Sequence, residues 1–177
     1  LVEAIVVGLA LVLGGSPLAL GDAPESPEMA AKRKEMKRRT RRIIYNNDSG
    51  DIYPTAASTP EGFLAQRMDA VPDSQVDSVF YCTGATVMFS HDAKVGETYG
   101  QYPAPGCFAN VQNARALIAQ GTDTLKLVID FCKKNDLEVF FTHRINDIHD
   151  SMDSCSFELA TWKREHPEYL LGRKEDQ

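Results

Sequence analysis

The sequence predicts an α/β fold with a parallel sheet, and three observations predict it. Short runs of β-branched and aromatic residues alternate along the chain with segments of helical spacing, an order that pairs strands in parallel through right-handed crossovers. The strand runs are near-continuously apolar, as expected where helices cover both faces of a sheet. The 177 residues, 43% hydrophobic and 25% charged, are enough for one domain with a sizeable core and mark the chain as neither collagenous nor wholly disordered.

The first strand is expected over residues 42–46, a β-branched and aromatic run. It enters a polar loop, residues 47–51, rich in the usual turn formers. Thr59 then stands as an N-cap with Pro60 at the first helical position. Phe63, Leu64, Arg67 and Met68 fall at helical spacing, and Pro72 closes the segment. The second strand is expected over residues 76–82. A loop over residues 83–108 follows, carrying Gly84, Gly96, Gly100, Pro103, Pro105 and Gly106; loops of that length in a compact domain are usually functional or disordered. A short helix over residues 113–120 ends at Gly121. Thr122 or Asp123 caps the next, over residues 124–134, with Leu125, Val128, Ile129 and Cys132 on one face. The third strand is expected over residues 137–142, and the tail from Trp162 to Gly172 as helix passing into loop. No solenoid-type repeat is visible. Three strands are few for a stable sheet, so the expectation is a fragment, with a larger barrel continuing past Gln177.

Residues 1–23 read as a secretory signal peptide. The apolar run from Ala4 to Leu13 is too short to span a bilayer as a helix but has h-region length, and cleavage is expected after Gly21 or Ala23. The chain is therefore expected to be secreted or periplasmic, with no stable membrane span after cleavage. Residues 24–41 read as a basic linker, a solvated and partly helical tether. The sharper alternative for this stretch is a patch that touches anionic cell-envelope polymers. Residues 32–42 hold eight Lys or Arg and one Glu, whereas from Ile43 onward eleven basic residues face twenty acidic ones, a net −9 within a total of −6. Such an acidic body argues against nucleic acid as a partner, because phosphates call for a basic surface. The folded domain is expected over residues 42–177.

Cys82, Cys107, Cys132 and Cys155 match no zinc spacing. Cys82 and Cys132 sit in apolar surroundings of core type. Cys107 and Cys155 fall in expected loops, where an oxidising compartment would permit pairing. No cofactor is expected, and nucleotide binding is disfavoured because no G-x-G-x-x-G or Walker sequence follows a strand; nucleophilic catalysis has little support, since no G-x-S-x-G elbow occurs and no Cys adjoins a His.

In parallel α/β folds, ligands bind beyond the C-terminal ends of the strands. The ends of the first and third strands are the most polar stretches of the domain, with Asn46, Asn47, Asp48 and Asp51 at one, and Arg144, Asn146, Asp147, His149 and Asp150 at the other. Such groups, once buried, need partners, and a sugar's hydroxyls supply donors and acceptors. The candidate substrate-binding set is therefore Asn46, Asn47, Asp48, Arg144, Asn146 and Asp147. Tyr45, Tyr53, Tyr81 and Trp162 are candidate faces for a pyranose ring. Against this, residues 47–50 read equally well as a plain turn, and Arg144 as a structural ion pair to Asp48 or Asp147. His143, His149 and Asp147 would serve a metal-dependent hydrolase, a weaker alternative, and no resident metal is expected.

Three stretches carry a resemblance: Ile44 to Asp48, Glu138 to Asp147, and Trp162 to Leu170. They resemble bacterial glycosyl-hydrolase-like (β/α)-barrel proteins, in which a helix leads into strand three as residues 130–140 do here, and a W-x-x-x-H-P-E phrase follows. The likeness covers residues 42–172. It implies the N-terminal β/α units of a (β/α)8, TIM-type barrel, incomplete in this chain, and an exported carbohydrate-active protein, a glycoside hydrolase. Such enzymes place two carboxylates across the scissile bond. In many barrel glycosidases these stand at strand four and later strands, which the resemblance puts beyond Gln177. The catalytic residues are then unknown, and the six named side chains position substrate. The alternative is a non-catalytic carbohydrate-binding or cell-envelope protein on the same fold, since fold alone does not fix function. Three strands cannot close a barrel, so residues 24–177 alone are expected to lack hydrolase activity.

Overall fold

The structure is a computed structural model that describes residues 26–85, 87–104, 106–151 and 153–170, with the side chains of Cys107, Asp153, Ser154 and Ser156 left out of the description. The expected signal peptide lies outside the described residues, and so does the side chain of Cys107, on which the permitted pairing with Cys155 would depend. The chain divides into two compact units, the first ending at Thr40 and the second beginning at Arg41.

The first unit holds helix α1 (Pro27–Arg38). The Ser26 hydroxyl accepts from the Met29 N–H at 3.2 Å, and Pro27 needs no partner for the N–H it lacks, so both fix the start of the helix. No residue of α1 is buried. The expected tether is thus helical over most of its length.

The second unit contains β1 (Ile44–Asn47), α2 (Pro60–Arg67), β2 (Ser78–Ala85), β3 (Met88–Phe89), β4 (Glu97–Thr98), α3 (Asn113–Ala119), α4 (Thr124–Lys134), β5 (Glu138–Arg144) and α5 (Thr161–Glu165), joined through short 3-10 turns. It is a mixed α/β fold. β2 is the central strand, parallel to β1 along one edge and to β5 along the other. The strand–helix alternation and parallel pairing expected from the sequence are present in these three strands. The first strand is shifted, ending at Asn47 rather than Asn46.

The sheet as a whole is mixed because the expected loop 83–108 is not irregular throughout. β2 runs on to Ala85, and β3 turns back antiparallel against its last two residues, with β4 parallel to β3. Gly84 permits this. It has φ +148°, and a Cβ there would stand 2.0 Å from the Met88 carbonyl oxygen, so only glycine lets the returning strand approach so closely.

Pairing sets Tyr45, Val79 and Val139 in one row and Asn47, Tyr81 and Phe141 in another. Alternation sends both rows to one face of the sheet, where the helices lie. Val79, Tyr81, Phe63, Met68, Leu117, Val128 and Cys132 are wholly buried there. Thr59 caps α2, accepting from the Gly62 N–H at 3.1 Å, and Asp123 rather than Thr122 caps α4, accepting from the Lys126 N–H at 2.8 Å. The other face carries Ile44, Ser78 and Glu138 in one row and Asn46, Phe80 and Phe140 in the next. Phe80 and Phe140 stack with centroids 4.7 Å apart, and the Arg41 guanidinium covers Phe140 at 4.8 Å. Arg41 also donates to Glu138 at 2.6 Å.

The expectation that both faces of every strand are covered fails at the flanking strands. Ile44 is 50% exposed and Phe141 51%. The helices pack over the middle of the trio, so every residue of β2 but the half-buried Phe80 is buried, whereas burial is partial at β1 and β5.

Candidate functional site

The C-terminal ends of β1 and β5 lie on opposite edges of β2, and the chain leaves each in a polar turn. After β1, Ser49 takes a left-handed conformation, φ 68°, which Asn47 supports by accepting from the Ser49 N–H at 3.2 Å. Asn47 also donates to the buried carboxylate of Asp51 at 2.8 Å. Arg67 Nε stands 3.1 Å from the other Asp51 oxygen, an ion-pair contact rather than an aligned hydrogen bond. Burial pushes the Asp51 carboxyl above its ordinary value, and Asn47 and Arg67 only partly offset that. Asn47 is 1% exposed, so it braces this turn and is not presented to a ligand.

The next residue faces outward. Asp48 accepts from Arg144 Nη2 at 2.8 Å, while Arg144 Nη1 donates to Asp147 at 3.1 Å. One guanidinium therefore ties the end of β1 to the turn after β5, and both ion pairs anticipated for Arg144 form. Asp147 further accepts from the His149 backbone N–H at 2.9 Å and contacts the His149 ring nitrogen. Burial alone would raise the Asp147 carboxyl; His149 and Arg144 outweigh it and hold the group below the ordinary carboxylate range. Asn46 and Asn146 are both exposed.

A further acid joins these residues. A narrow cleft at the strand ends is lined by Ala85, Met88, Tyr99, Asp147, Asp150, Glu158, Ala160 and Lys163. Lys163 donates to Asp150 at 2.5 Å and to the Asp147 carbonyl at 3.3 Å, which closes the segment over the cleft. Glu158 accepts from the Tyr53 hydroxyl at 3.5 Å. Burial first, and then the Asp147 charge, push the Glu158 carboxyl above its ordinary value. The Tyr99 phenol is also raised, chiefly by burial and next by Glu158. The open space is about 10 Å³, room for a single water.

Sequence reasoning brought Asp48, Arg144 and Asp147 together correctly and missed Glu158, Tyr99, Tyr53 as a hydrogen-bond donor, and Lys163. The signal for Glu158 was available: it is an acid embedded among Phe157, Leu159 and Ala160. Tyr81 is no ring platform, because it is wholly buried with its hydroxyl beside Thr124, Ser90 and Ser49. Trp162 is 40% exposed and stacks on Tyr169 at 5.6 Å. Nor are His143, His149 and Asp147 gathered as a metal set. Alternation turns His143 to the opposite face from Arg144, where it stacks on Phe89 at 5.2 Å. Among the described residues, no group of three His, Cys, Asp or Glu is placed to hold a metal ion, and no helix is long and apolar enough to cross a membrane.

No family model matches the chain, and a search of curated proteins returns no match.

Proposed function

We propose that this chain is an exported carbohydrate-active protein of glycoside-hydrolase type, its parallel trio forming the opening units of a (β/α)8-type barrel. The observation that carries the reading is Arg144, held between Asp48 and Asp147 at the ends of β1 and β5 with Glu158 close by. A planar guanidinium fork among carboxylates offers donors and acceptors in the spacing that neighbouring sugar hydroxyls need. Asp147 and Glu158 are displaced in opposite directions, so Asp147 gives up its proton at a lower pH than Glu158. That split suits acid–base work on a glycosidic bond. The strand order β1, β2, β5 follows chain order, and the outer edges of β1 and β5 carry no strand partner among the described residues. Both features agree with consecutive strands of a barrel.

One observation favours the second reading, a non-catalytic carbohydrate-binding protein. The cleft is closed by Lys163 and Asp150 and has no room for a pyranose ring, so binding requires the segment after β5 to move. Titration of a panel of neutral oligosaccharides tests both readings. At least one should bind, and Arg144→Ala should weaken it by about tenfold or more, the loss expected for a charged hydrogen-bonding group. Binding to none of the panel, or a variant that binds as well as wild type, would reject the proposal. Turnover of chromogenic glycosides by the same protein would favour the enzyme and would overturn the expectation that residues 24–177 alone lack hydrolase activity.

A further inference from the structure

The segment from β3 to Tyr99 forms one wall of the cleft, and little sheet holds it there. Strands β3 and β4 are two residues long each, and β3 pairs with β2 at Gly84 and Ala85. Yet the segment carries Met88 and Tyr99, which line the cleft. It also carries Glu97, which accepts from Thr161 Oγ1 at 3.0 Å and from the Trp162 N–H at 3.3 Å and so fixes the start of α5. A segment with so few ladder bonds opens locally at low cost. A cluster of four rings adds to its hold. Phe89 of β3 stacks on His143 of β5 with centroids 5.2 Å apart and meets His91 edge-on at 5.1 Å. His91 in turn meets Phe141 of β5 edge-on at 6.2 Å, and Phe141 lies nearly parallel to His143. Two rings from the wall thus pack against two from β5.

We infer that His91 is a pH-sensitive clasp, which fastens this wall of the cleft to β5 while neutral and releases it once protonated. His91 is half-buried, and its Nδ1 is buried with no hydrogen-bond partner. A neutral imidazole tolerates a bare ring nitrogen there. An imidazolium carries a proton on each nitrogen, and a buried N–H without an acceptor is costly, as is a charge among apolar rings. The charged and titratable groups that face His91 are Asp92 beside it, Asp123 at the start of α4 and His143 on β5. Burial is the largest influence and holds the imidazole below its ordinary value; Asp123 and Asp92 oppose that, and His143 adds to it. The unfolded chain therefore binds the proton first. Stability is lost as pH falls from the ordinary histidine value through the lower folded one. The clasp acts on the cleft wall whatever the cleft binds, so it does not rest on the carbohydrate reading.

The test is amide hydrogen exchange of the full chain at about pH 7.5 and about pH 5.5, on either side of the ordinary histidine value, expressed as protection so that the intrinsic pH dependence cancels. The reporters are the N–H groups of Ser90, Glu97 and Tyr99, which donate to the carbonyls of Thr83, Val87 and Phe89 at 2.7, 2.7 and 2.8 Å. Their protection should fall by about threefold or more on acidification, while that of the β2 amides falls less. In His91→Phe, which keeps a ring that cannot be protonated, the same protection should not respond to pH. NMR titration of the His91 ring needs no variant. It should titrate below the ordinary histidine value, and the ring signals of Phe89 and Phe141 should shift with the same midpoint. Wild-type protection that pH leaves unchanged, a loss shared equally by β2, a His91→Phe protein that loses protection as wild type does, or a His91 ring that titrates at or above the ordinary histidine value would overturn the inference.

Discussion

Asp147 and Glu158 line one cleft, yet their surroundings move their carboxyls in opposite directions. Each shift fixes a dependence of stability on pH. Asp147 is held below its unfolded value, so its contribution is present above the ordinary carboxylate range and is lost as pH falls through its folded value. Asp147→Asn should therefore be less stable than wild type at neutral pH, with the gap closing in acid. Glu158 is raised by burial, so its ionised form costs the fold stability, and wild type loses stability as pH climbs from the ordinary carboxylate range through the folded value. Glu158→Gln should be more stable than wild type at neutral pH, the curves merging in acid. Urea melts across pH read both; a Glu158→Gln protein less stable at neutral pH would contradict the assignment. The Arg144 pairs were legible in sequence because opposite charges stand in the polar turns that leave two strands of one parallel sheet. Glu158 was legible only in part: its apolar sequence neighbours mark a buried acid, but Tyr53, which donates to it, and Met88 and Tyr99, which line the cleft with it, are distant in the chain. Asn47 was misplaced for a related reason: a turn-forming residue looks the same in sequence whether it points outward or, as here, into Asp51.

Helix α2 shows which elements local sequence determines. Thr59 and Pro60 mark its start by chemistry that acts within one turn, and the structure begins the helix there. Its packing adds what sequence cannot display. A Cβ on Gly62 would stand 1.8 Å from the Ala56 carbonyl oxygen, so the preceding 3-10 turn rests directly on the helix. Gly62→Ala should destabilise the domain by about 2 kcal/mol or more through overpacking against backbone. Phe63 is wholly buried, and Phe63→Ala should cost about 3–5 kcal/mol by leaving a cavity. Thermal or chemical denaturation checks both, and losses under half of these would place α2 outside the core. β3 and β4 lie at the other extreme. Strands of two residues have no periodicity to read, and they exist because Gly84 lets the chain fold back on β2.

At the scale of the whole molecule, alternating strand and helix segments made the parallel trio legible, since that order leaves few other topologies. Burial of the trio was less legible. An apolar strand in sequence does not state whether its neighbour is a covered strand or an open edge, and Ile44 and Phe141 remain half exposed. On the proposed function, carbohydrate binds where the ends of β1 and β5 converge on Arg144. The direct test is NMR mapping of amide shifts as a bound oligosaccharide is added. The largest shifts should cluster at Asp48 to Asp51 and Arg144 to Asp150, with Glu158 and Lys163. Shifts confined to α1 or to the Trp162–Tyr169 stack, or the absence of any oligosaccharide that binds, would contradict it.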